Sequence, residues 1–351
     1  YINSLVTKNT LIKIQMISRP RLVNITKIIR KSLVISVGID YLIVENKMRI
    51  AITGGAGYVG CRLSEYFLKQ GHEVDCIDWM RWGVTPILNI IDHPNFHLHV
   101  MDIRDKEVEP VIKSADAVIH LAGIVGYPAC DSEPLLAQSI NVEATKRVID
   151  ATGDKPFVYA STGSVYGALN STCTELSETN PISKYSEYKL IGEEYSGDNA
   201  VIFRPATAFG VSNRLRNDLL VNDFVNQAVN VKELTLFEGH FKRTFLSIND
   251  LVRGFAMGIE KYDEMKGEVW NVGDETLNHT KLDIANTILK YVDYDLTVNT
   301  TVEHDKDGRN YFVDYSKIKE RTGFVATETL DSGILNLVTL YKASSHNFTY
   351  R

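Results

Sequence analysis

The stretch "MRIAITGGAGYVG" at 48–60 restricts the fold of this chain more than any other. Its apolar beginning is typical of a buried strand, and three glycines spaced three residues apart follow where a helix running to about Gln70 begins. A tight turn, the approach of a pyrophosphate and close packing of helix on strand each exclude a Cβ at one of these glycines. This pattern predicts the first turn of a dinucleotide-binding domain. The turn residues predicted to contact the dinucleotide are Gly54, Gly57, Tyr58, Val59 and Gly60.

Asp78 strengthens this prediction. It ends the next apolar run, "EVDCID", 18 residues after Gly60. A carboxylate at that place accepts hydrogen bonds from both hydroxyls of an adenosine ribose, and it repels a 2′-phosphate. NAD is therefore the predicted cofactor and NADP the less favoured one, although Arg81 would offset part of the repulsion.

Short apolar runs alternate with amphipathic stretches of helical spacing from Met48 onward. Strands as uniformly apolar as these are covered on both faces, which is typical of parallel sheets. We predict an α/β fold, a doubly wound parallel sheet of the Rossmann type with a smaller, intermingled C-terminal substrate-binding region. The apolar runs lie at 49–53, 73–78, 97–101, 116–123, 156–161, 200–205 and 268–273.

The first 47 residues differ in charge from the rest of the chain. They carry +6, against −12 for the remainder, and no apolar run among them approaches the ~18 residues that cross a bilayer. We expect residues 1–47 to be an appended segment outside the fold, so that a chain starting at Met48 would fold and bind NAD equally well. The predicted division is 1–47 appended, 48–205 NAD-binding with 246–275 returning to it, and 206–245 with 276–345 substrate-binding.

Two further stretches suit the same cofactor. In "MDIRD", Asp102 can meet the adenine amino group and Ile103 can flank the ring, since both follow the third predicted strand. In "HLAG", which ends the fourth strand, the residues that let backbone approach a dinucleotide are Leu121, Ala122 and Gly123. His120 lies on an apolar strand, and we interpret it as a packed core histidine.

The predicted chemistry lies in "YASTGSVYG" and "SKYSEYKLIGEE". Tyr185 and Lys189 are four residues apart on a predicted helix, so they project from one face. Lowering a phenol's pKa from about 10 to about 7 needs about 4 kcal/mol of phenolate stabilisation, which an ammonium one turn away and an oxidised nicotinamide can supply. Thr162, at the end of the fifth strand, would give its hydroxyl to the reacting oxygen of the substrate. Tyr185 and Lys189 are also assigned to cofactor binding.

The sequence resembles the extended short-chain dehydrogenase/reductase family, in its nucleotide-sugar epimerase/dehydratase branch related to UDP-galactose 4-epimerase. The resemblance covers 48–341. It implies that Thr162, Tyr185 and Lys189 form the catalytic set and that Thr207 lies near the nicotinamide. It further implies that Arg243 and Arg309 bind the diphosphate of a nucleotide sugar, and that relatives pair as homodimers through helices around 133–152 and 183–197. The motifs that carry it are "TGGAGYVG", "DI", "HLAG", "NVEAT", "STGSVYG", the YxxxK pair, "RPATAFG", "RTFLSINDL" and "NVG".

One departure from the family pattern narrows the reaction. Dehydratases of this family resemble one another in having Asp and Glu after the catalytic threonine, and the related decarboxylases usually keep an acid at the second position. Here those positions are Gly163 and Ser164. The expected function is an NAD-dependent nucleotide-sugar epimerase that transiently oxidises the sugar C4, with a 4-keto-6-deoxy-sugar reductase and a non-catalytic dinucleotide sensor as alternatives. Loop residues with two open interpretations, ligand contact or a solvated helix start, are Arg214, Arg216 and Asn217.

Composition bears on partners and compartment. A net charge of −6 argues against nucleic-acid binding, because such proteins usually carry a basic face. We therefore expect a nucleotide-sugar substrate, with neither nucleic acid nor membrane as partner. The four cysteines show no CxxC pairing and no metal-like spacing, so a reduced, cytoplasmic protein without a metal is expected.

Overall fold

A parallel sheet forms the framework on which the chain's other elements are placed. The computed structural model describes residues 47–167, 171–301 and 312–344. The strands in these ranges are β1 (Arg49–Thr53), β2 (Glu73–Asp78), β3 (Phe96–Val100), β4 (Ala117–His120), β5 (Phe157–Ala160), β6 (Thr172–Cys173), β7 (Ala200–Pro205), β8 (Thr207–Phe209), β9 (Glu233–Phe237), β10 (Lys242–Ser247), β11 (Glu268–Val272), β12 (Asn278–Thr280), β13 (Thr297–Thr301) and β14 (Phe312–Val313).

Helices connect most of these strands. Short 3₁₀ helices lie at Thr85–Ile87, Gly163–Tyr166, Gly197–Asn199 and Glu275–Leu277, and a π-helical segment at Ser139–Ala144. The α-helices of the described residues are α1 (Gly60–Lys69), α2 (Val108–Ser114), α3 (Tyr127–Ser132), α4 (Pro134–Gln138), α5 (Thr145–Thr152), α6 (Lys184–Ser196), α7 (Leu220–Asn230), α8 (Ile248–Glu260), α9 (Tyr262–Met265), α10 (Lys281–Leu289), α11 (Ser316–Thr322) and α12 (Leu330–Ser344).

The largest sheet within the described residues has seven strands in the order β11-β7-β5-β4-β1-β2-β3. Each neighbouring pair in it is parallel, so the carboxyl ends of its strands lie at one edge. The order reverses between β1 and β4, because the chain proceeds from β1 to one side and from β4 to the other. Loops leaving these two strands diverge and open a crevice between them. The predicted doubly wound parallel fold is confirmed.

Burial explains why the strands are so uniformly apolar. Ile50 and Ile52 of β1 pack in one apolar cluster and Ala51 packs in another, and all three side chains are fully buried. Since successive residues of a strand point to opposite faces, both faces of the sheet are covered. The sheet therefore requires apolar residues at consecutive positions of its central strands.

Smaller sheets, built mostly from residues after 206, were not predicted from the sequence. β10 pairs in parallel with β8 and antiparallel with β12, while β13 pairs with β9 and β14 with β6. α7 packs against α12. β11 returns to the large sheet beside β7, as the apolar run at 268–273 had indicated.

Membrane-spanning helices and metal-ligand clusters are both absent from the described residues. None of their helices is long and apolar enough to cross a bilayer. The same residues contain no group of three or more His, Cys, Asp or Glu placed to hold a metal ion. The four cysteines are buried and free.

Candidate active site

A cavity of about 780 Å³ opens at the carboxyl ends of the parallel strands. It gathers residues that the sequence had predicted from segments far apart in the chain. Arg243, which lies on β10 and is only 4% exposed, is not among its lining residues. Arg309 lies outside the described residues. The predicted residues that line the cavity are Gly54, Gly57, Tyr58, Val59, Gly60, Asp78, Asp102, Ile103, Leu121, Ala122, Gly123, Thr162, Tyr185, Lys189 and Thr207.

Close backbone contacts explain two glycines of the turn. Gly54 has φ +70°, and a Cβ there would lie 2.8 Å from the backbone nitrogen of Ala122. A Cβ on Gly60 would lie 2.1 Å from the carbonyl oxygen of Gly54, which backbone cannot relieve without moving. The turn therefore stays tight, and α1 begins at Gly60 facing the cavity with no acidic residue in its first turn. Free N–H groups at such a helix start favour an anion.

Asp78 presents a carboxylate that backbone holds in place. Its Oδ2 accepts the N–H of Ala56 at 3.1 Å and its Oδ1 accepts the N–H of Met80 at 2.8 Å. Burial raises the pKa of Asp78, and these two N–H groups oppose that rise. A carboxylate has about four acceptor positions, so acceptor capacity remains for a ligand.

Asp102 is held by a neighbour. Arg104 donates to its two oxygens, with Nη2 at 2.6 Å from Oδ2, and lowers the pKa of Asp102. Ile103 beside it is buried and lines the cavity. This pair therefore offers one fixed carboxylate and one apolar wall.

His120 belongs to the core, as interpreted from the sequence. Its ring nitrogens contact the hydroxyls of Thr53 at 2.7 Å and Thr145 at 3.0 Å. Complete burial lowers the pKa of His120 to about 3, so the ring is neutral near pH 7. It is not among the residues that line the cavity.

Tyr185 and Lys189 lie on α6 within its first two turns. The helix begins sharply because Ser183 caps it, accepting the backbone N–H of Ser186 at 3.3 Å in a capping box. Both predicted residues line the cavity, one helical turn apart. Lys189 is 3% exposed, and this burial lowers the pKa of its ammonium to about 8.

Thr162 leaves β5 in an extended conformation and caps the 3₁₀ helix that follows. Its Oγ1 accepts the N–H of Ser164 at 3.1 Å and lies 3.2 Å from the Ser164 hydroxyl. Gly163 and Ser164 both line the cavity, and neither brings a carboxylate to the threonine. Thr162, Ser164 and Tyr185, which each carry a hydroxyl, thus line the same cavity.

The loop 210–219 forms one wall of the cavity, and it contains the residues for which the sequence allowed two interpretations. Arg214, Arg216 and Asn217 all line the cavity, and Arg216 pairs with Asp218 while its side chain is only 17% exposed. Of the two interpretations, an approach to a ligand therefore fits the structure better than a solvated helix start.

Contacts to the glycine-rich turn hold this loop in place. Ser212 donates to the carbonyl oxygen of Tyr58 at 2.7 Å, and the Tyr58 hydroxyl donates to that of Gly210 at 2.9 Å. These contacts between the turn and the loop were not predicted from the sequence, because the two segments are more than 150 residues apart in the chain.

Trp79 and Trp82 line the cavity without having been predicted. The Arg81 guanidinium lies 5.5 Å from the centre of the Trp79 ring and 5.7 Å from that of Trp82, and Arg214 lies 4.1 Å from the Trp82 ring. The stretch "DWMRWG" could have indicated them, because it has two large aromatic residues within four positions after Asp78.

The chain is similar to known proteins over more than half of its length. The profile of the NAD dependent epimerase/dehydratase family matches residues 50–273. A Bacillus subtilis protein named as the uncharacterized UDP-glucose epimerase YtcB is 28% identical over 311 residues, which cover 82% of this chain and 96% of that protein. UDP-glucuronic acid decarboxylase 1 of Arabidopsis thaliana is 26% identical, over 85% of this chain and 71% of that protein.

The fold is also similar to that of a solved structure. It is that of UDP-glucuronic acid 4-epimerase from Bacillus cereus in complex with UDP-glucuronic acid and NAD. It superposes with a TM-score of 0.76 at 27% identity, covering 84% of this chain and 99% of that one.

Proposed function

The chain belongs to the NAD dependent epimerase/dehydratase family, and from that premise we propose that it is an NAD-dependent nucleotide-sugar 4-epimerase. The observation that carries the proposal is that one cavity joins a glycine cradle for a dinucleotide to Tyr185, Lys189 and Thr162. The relatives named as a UDP-glucose epimerase and as a UDP-glucuronic acid 4-epimerase support UDP-sugars as the substrate class.

The residues present fit NAD. Gly54 and Gly60 keep the turn tight, because a Cβ on either would clash with backbone, and Gly60, where α1 begins, lines the cavity in which a pyrophosphate would lie. Asp78 would accept the hydroxyls of the adenosine ribose, and its charge disfavours a 2′-phosphate. Asp102 and Ile103 would meet the adenine, and Leu121 to Gly123 would lie along the dinucleotide.

The residues of the chain would handle the proton. Tyr185 takes the proton of the C4 hydroxyl, because the Lys189 ammonium one turn away stabilises its phenolate. Thr162 donates a hydrogen bond to the same oxygen and keeps it oriented. NAD, when bound, would supply the hydride acceptor and donor for C4. Tyr185 then gives the proton back.

Positive charge on the loop 210–219 would bind the anionic part of the substrate. Arg214 and Arg216 line the cavity, and a protein with a net charge of −6 must meet a diphosphate with such a local cluster. Thr207 would lie near the nicotinamide. Arg243 and Arg309 keep the diphosphate-binding role that the family resemblance implies as a proposal.

Other reactions of the family fit less well. Gly163 and Ser164 bring no acid to the position after Thr162, which disfavours dehydration and decarboxylation despite the decarboxylase among the relatives. A 4-keto-6-deoxy-sugar reductase would use the same three residues and remains the alternative. A non-catalytic dinucleotide sensor would have no use for the Tyr185 and Lys189 pair.

The experiment incubates the purified protein with a panel of UDP-sugars, with and without added NADH, and follows products by mass spectrometry and NMR. An epimerase should carry bound NAD through purification and convert a UDP-sugar to its C4 epimer without added cofactor. A reductase should consume NADH stoichiometrically, and a sensor should bind NAD without turnover.

Three coarser features accompany this proposal. We propose that 48–205 with 246–275 holds the cofactor and that 206–245 with 276–345 holds the sugar nucleotide. We also propose a homodimer formed through the helices around 133–152 and 183–197, which light scattering on the purified protein would test. A cytoplasmic location fits the four free cysteines, and imaging of a tagged chain would check it.

A further inference from the structure

A buried ion pair lies directly behind the candidate active site. Glu193 is on α6 and Arg204 is on β7, and both side chains are 6% exposed. Arg204 Nε donates to the Glu193 carboxylate at 2.9 Å and its Nη2 donates at 2.5 Å. Neither residue is among those lining the cavity, so neither would touch a substrate. The pair therefore acts on the site through other residues and not by contact with a ligand. Removing one partner of a buried ion pair usually destabilises a protein strongly, so the test must separate a loss of stability from an effect on the site.

The carboxylate of Glu193 also reaches the strand that carries Thr162. Ser161, the residue before Thr162, donates its hydroxyl to Glu193 Oε1. A second contact joins the same two elements, because the Tyr159 hydroxyl donates to the carbonyl oxygen of Lys189 at 3.3 Å. Gly192 makes the close approach possible, since a Cβ there would lie 2.0 Å from the Tyr159 hydroxyl. The end of β5 and the catalytic face of α6 are thus fixed to each other.

We propose that Glu193 is a positioning residue with two effects. It holds Thr162 at a fixed distance from Tyr185 and Lys189, and its negative charge keeps the buried Lys189 ammonium in its cationic form. This inference rests on the proposed function for what those three residues do with a substrate. The geometry itself, one carboxylate joining β5, α6 and β7, is independent of the substrate.

The surroundings of Lys189 show why a charge from within the protein is needed. Burial lowers the pKa of Lys189 to about 8, while Cys130 and Glu193 act to raise it. Burial raises the pKa of the Cys130 thiol to about 11, so that thiol is neutral near pH 7, whereas the Glu193 carboxylate lies one helical turn from Lys189 on α6 and is ion-paired with Arg204. Two donated hydrogen bonds from Arg204 stabilise the charge of that carboxylate. The titratable groups around Lys189 are Cys130 of α3, His120 of β4, Tyr159 of β5 and, on its own helix, Tyr185 and Glu193.

The test titrates Lys189 itself. Trace acetylation with acetic anhydride across a range of pH, read by peptide mass spectrometry, gives the midpoint at which the amine becomes reactive. Lys184 on the same helix is exposed and serves as the internal reference. In Glu193→Gln we expect the Lys189 midpoint to fall by roughly one pH unit. Glu194→Gln, which removes an exposed carboxylate from the same helix and leaves the Lys184 pair with Glu187 in place, should leave the Lys189 midpoint where it is.

The positioning effect has its own variant. Ser161→Ala removes the hydroxyl that joins the residue before Thr162 to Glu193 and leaves the charge in place, so it should lower kcat several-fold without moving the Lys189 midpoint. Because Ser161 also lines the cavity, KM and NAD content are measured as well and should stay unchanged. In Glu193→Gln the alkaline limb of the activity profile should also move to lower pH, because Lys189 loses its proton earlier. A purely structural Glu193 would lower the melting temperature and move neither midpoint nor limb.

Two results would overturn the proposal. One is an unchanged Lys189 midpoint in Glu193→Gln protein that is folded by circular dichroism, and the other is an unchanged kcat in Ser161→Ala. If Glu193→Gln is insoluble, Glu193→Gln/Arg204→Met removes both buried charges and should still lower the midpoint, since Arg204 is not among the groups acting on Lys189. Labelling needs no substrate, so a failure of the epimerase proposal would appear separately as wild-type protein without turnover.

Discussion

The two halves of the cavity are built from different parts of the chain. The half proposed to hold the cofactor, here called the cofactor half, consists of the glycine turn, the start of α1 and the Asp78 carboxylate, which two backbone N–H groups hold. The half proposed to hold the sugar nucleotide, here called the sugar half, consists chiefly of the long side chains of Arg214 and Arg216 on a loop that contacts the turn at Tyr58. Backbone geometry is set by local sequence, whereas the position of a loop arginine is set by distant contacts. A change of a loop arginine should therefore leave the glycine turn intact, whereas a change of the turn can also displace the loop 210–219 that contacts Tyr58.

Tyr185 lies where the halves meet, and its change should have the largest effect. Tyr185→Phe keeps the ring and removes the ionisable oxygen, so turnover should fall by about 10²–10⁴ while NAD and UDP-sugar binding persist. Steady-state kinetics and NAD content measure the two parts. Tyr188→Phe is the matched control, since this buried tyrosine of the same helix does not line the cavity. Full turnover in Tyr185→Phe would remove Tyr185 from the chemistry.

Gly60 tests the tightness of the glycine turn. In Gly60→Ala the new Cβ meets the Gly54 carbonyl oxygen at 2.1 Å, and the backbone must shift. We expect a cost of about 3 kcal/mol, on the order of 100-fold in the Kd for NAD by calorimetry. Gly239→Ala is the control, because its Cβ would make an ordinary contact at 3.7 Å. Unaltered NAD binding in Gly60→Ala would mean that the turn does not need its present tightness.

Asp78 sharpens the same half. Asp78→Ser removes the charged acceptor for the ribose hydroxyls, so NAD should bind more weakly by about 1–3 kcal/mol and NADP should gain in relative affinity. The ratio of the two dissociation constants measures this. Asp92→Ser, at an exposed position outside the cavity, should leave the ratio as it is. An unchanged ratio in Asp78→Ser would place the ribose elsewhere.

Arg216 tests the sugar half and carries the smallest expected effect. Arg216→Gln removes one positive charge from the loop, so the KM for the UDP-sugar should rise by about tenfold while NAD content stays constant. Arg321→Gln, which disrupts a surface pair with Glu268, should change neither. Loss of bound NAD in Arg216→Gln would show that the two halves are not independent.

The same contrast explains what the sequence could predict. Strand bounds at 49–53, 73–78 and 200–205 agree with the structure, because burial on both faces dictates an apolar run that stops where the strand stops. The glycine turn and the spacing of Tyr185 and Lys189 are equally local, and they were found. Arg214 and Arg216 could not be decided, since a charged loop is as compatible with solvent as with a ligand.

Tertiary contacts account for the features that were missed. The pairing of Glu193 with Arg204 joins a helix to a strand, and no local pattern marks a carboxylate for burial. Trp79 and Trp82 stand in a loop without periodicity, so their place at the cavity follows only from the fold. The pairing of strands in the small sheets joins segments far apart in the chain, such as β10 with β8 and β12, and no local pattern specifies it.

The measurement that tests the central claim most directly follows an isotope. A UDP-sugar substrate labelled with deuterium at C4 is incubated with the wild-type protein, without added cofactor, and the product is examined by NMR and mass spectrometry. If the hydride leaves C4 and returns to the opposite face within one cavity, the epimeric product should retain the deuterium at C4. Loss of the label to solvent, or a requirement for added NADH, would contradict the account.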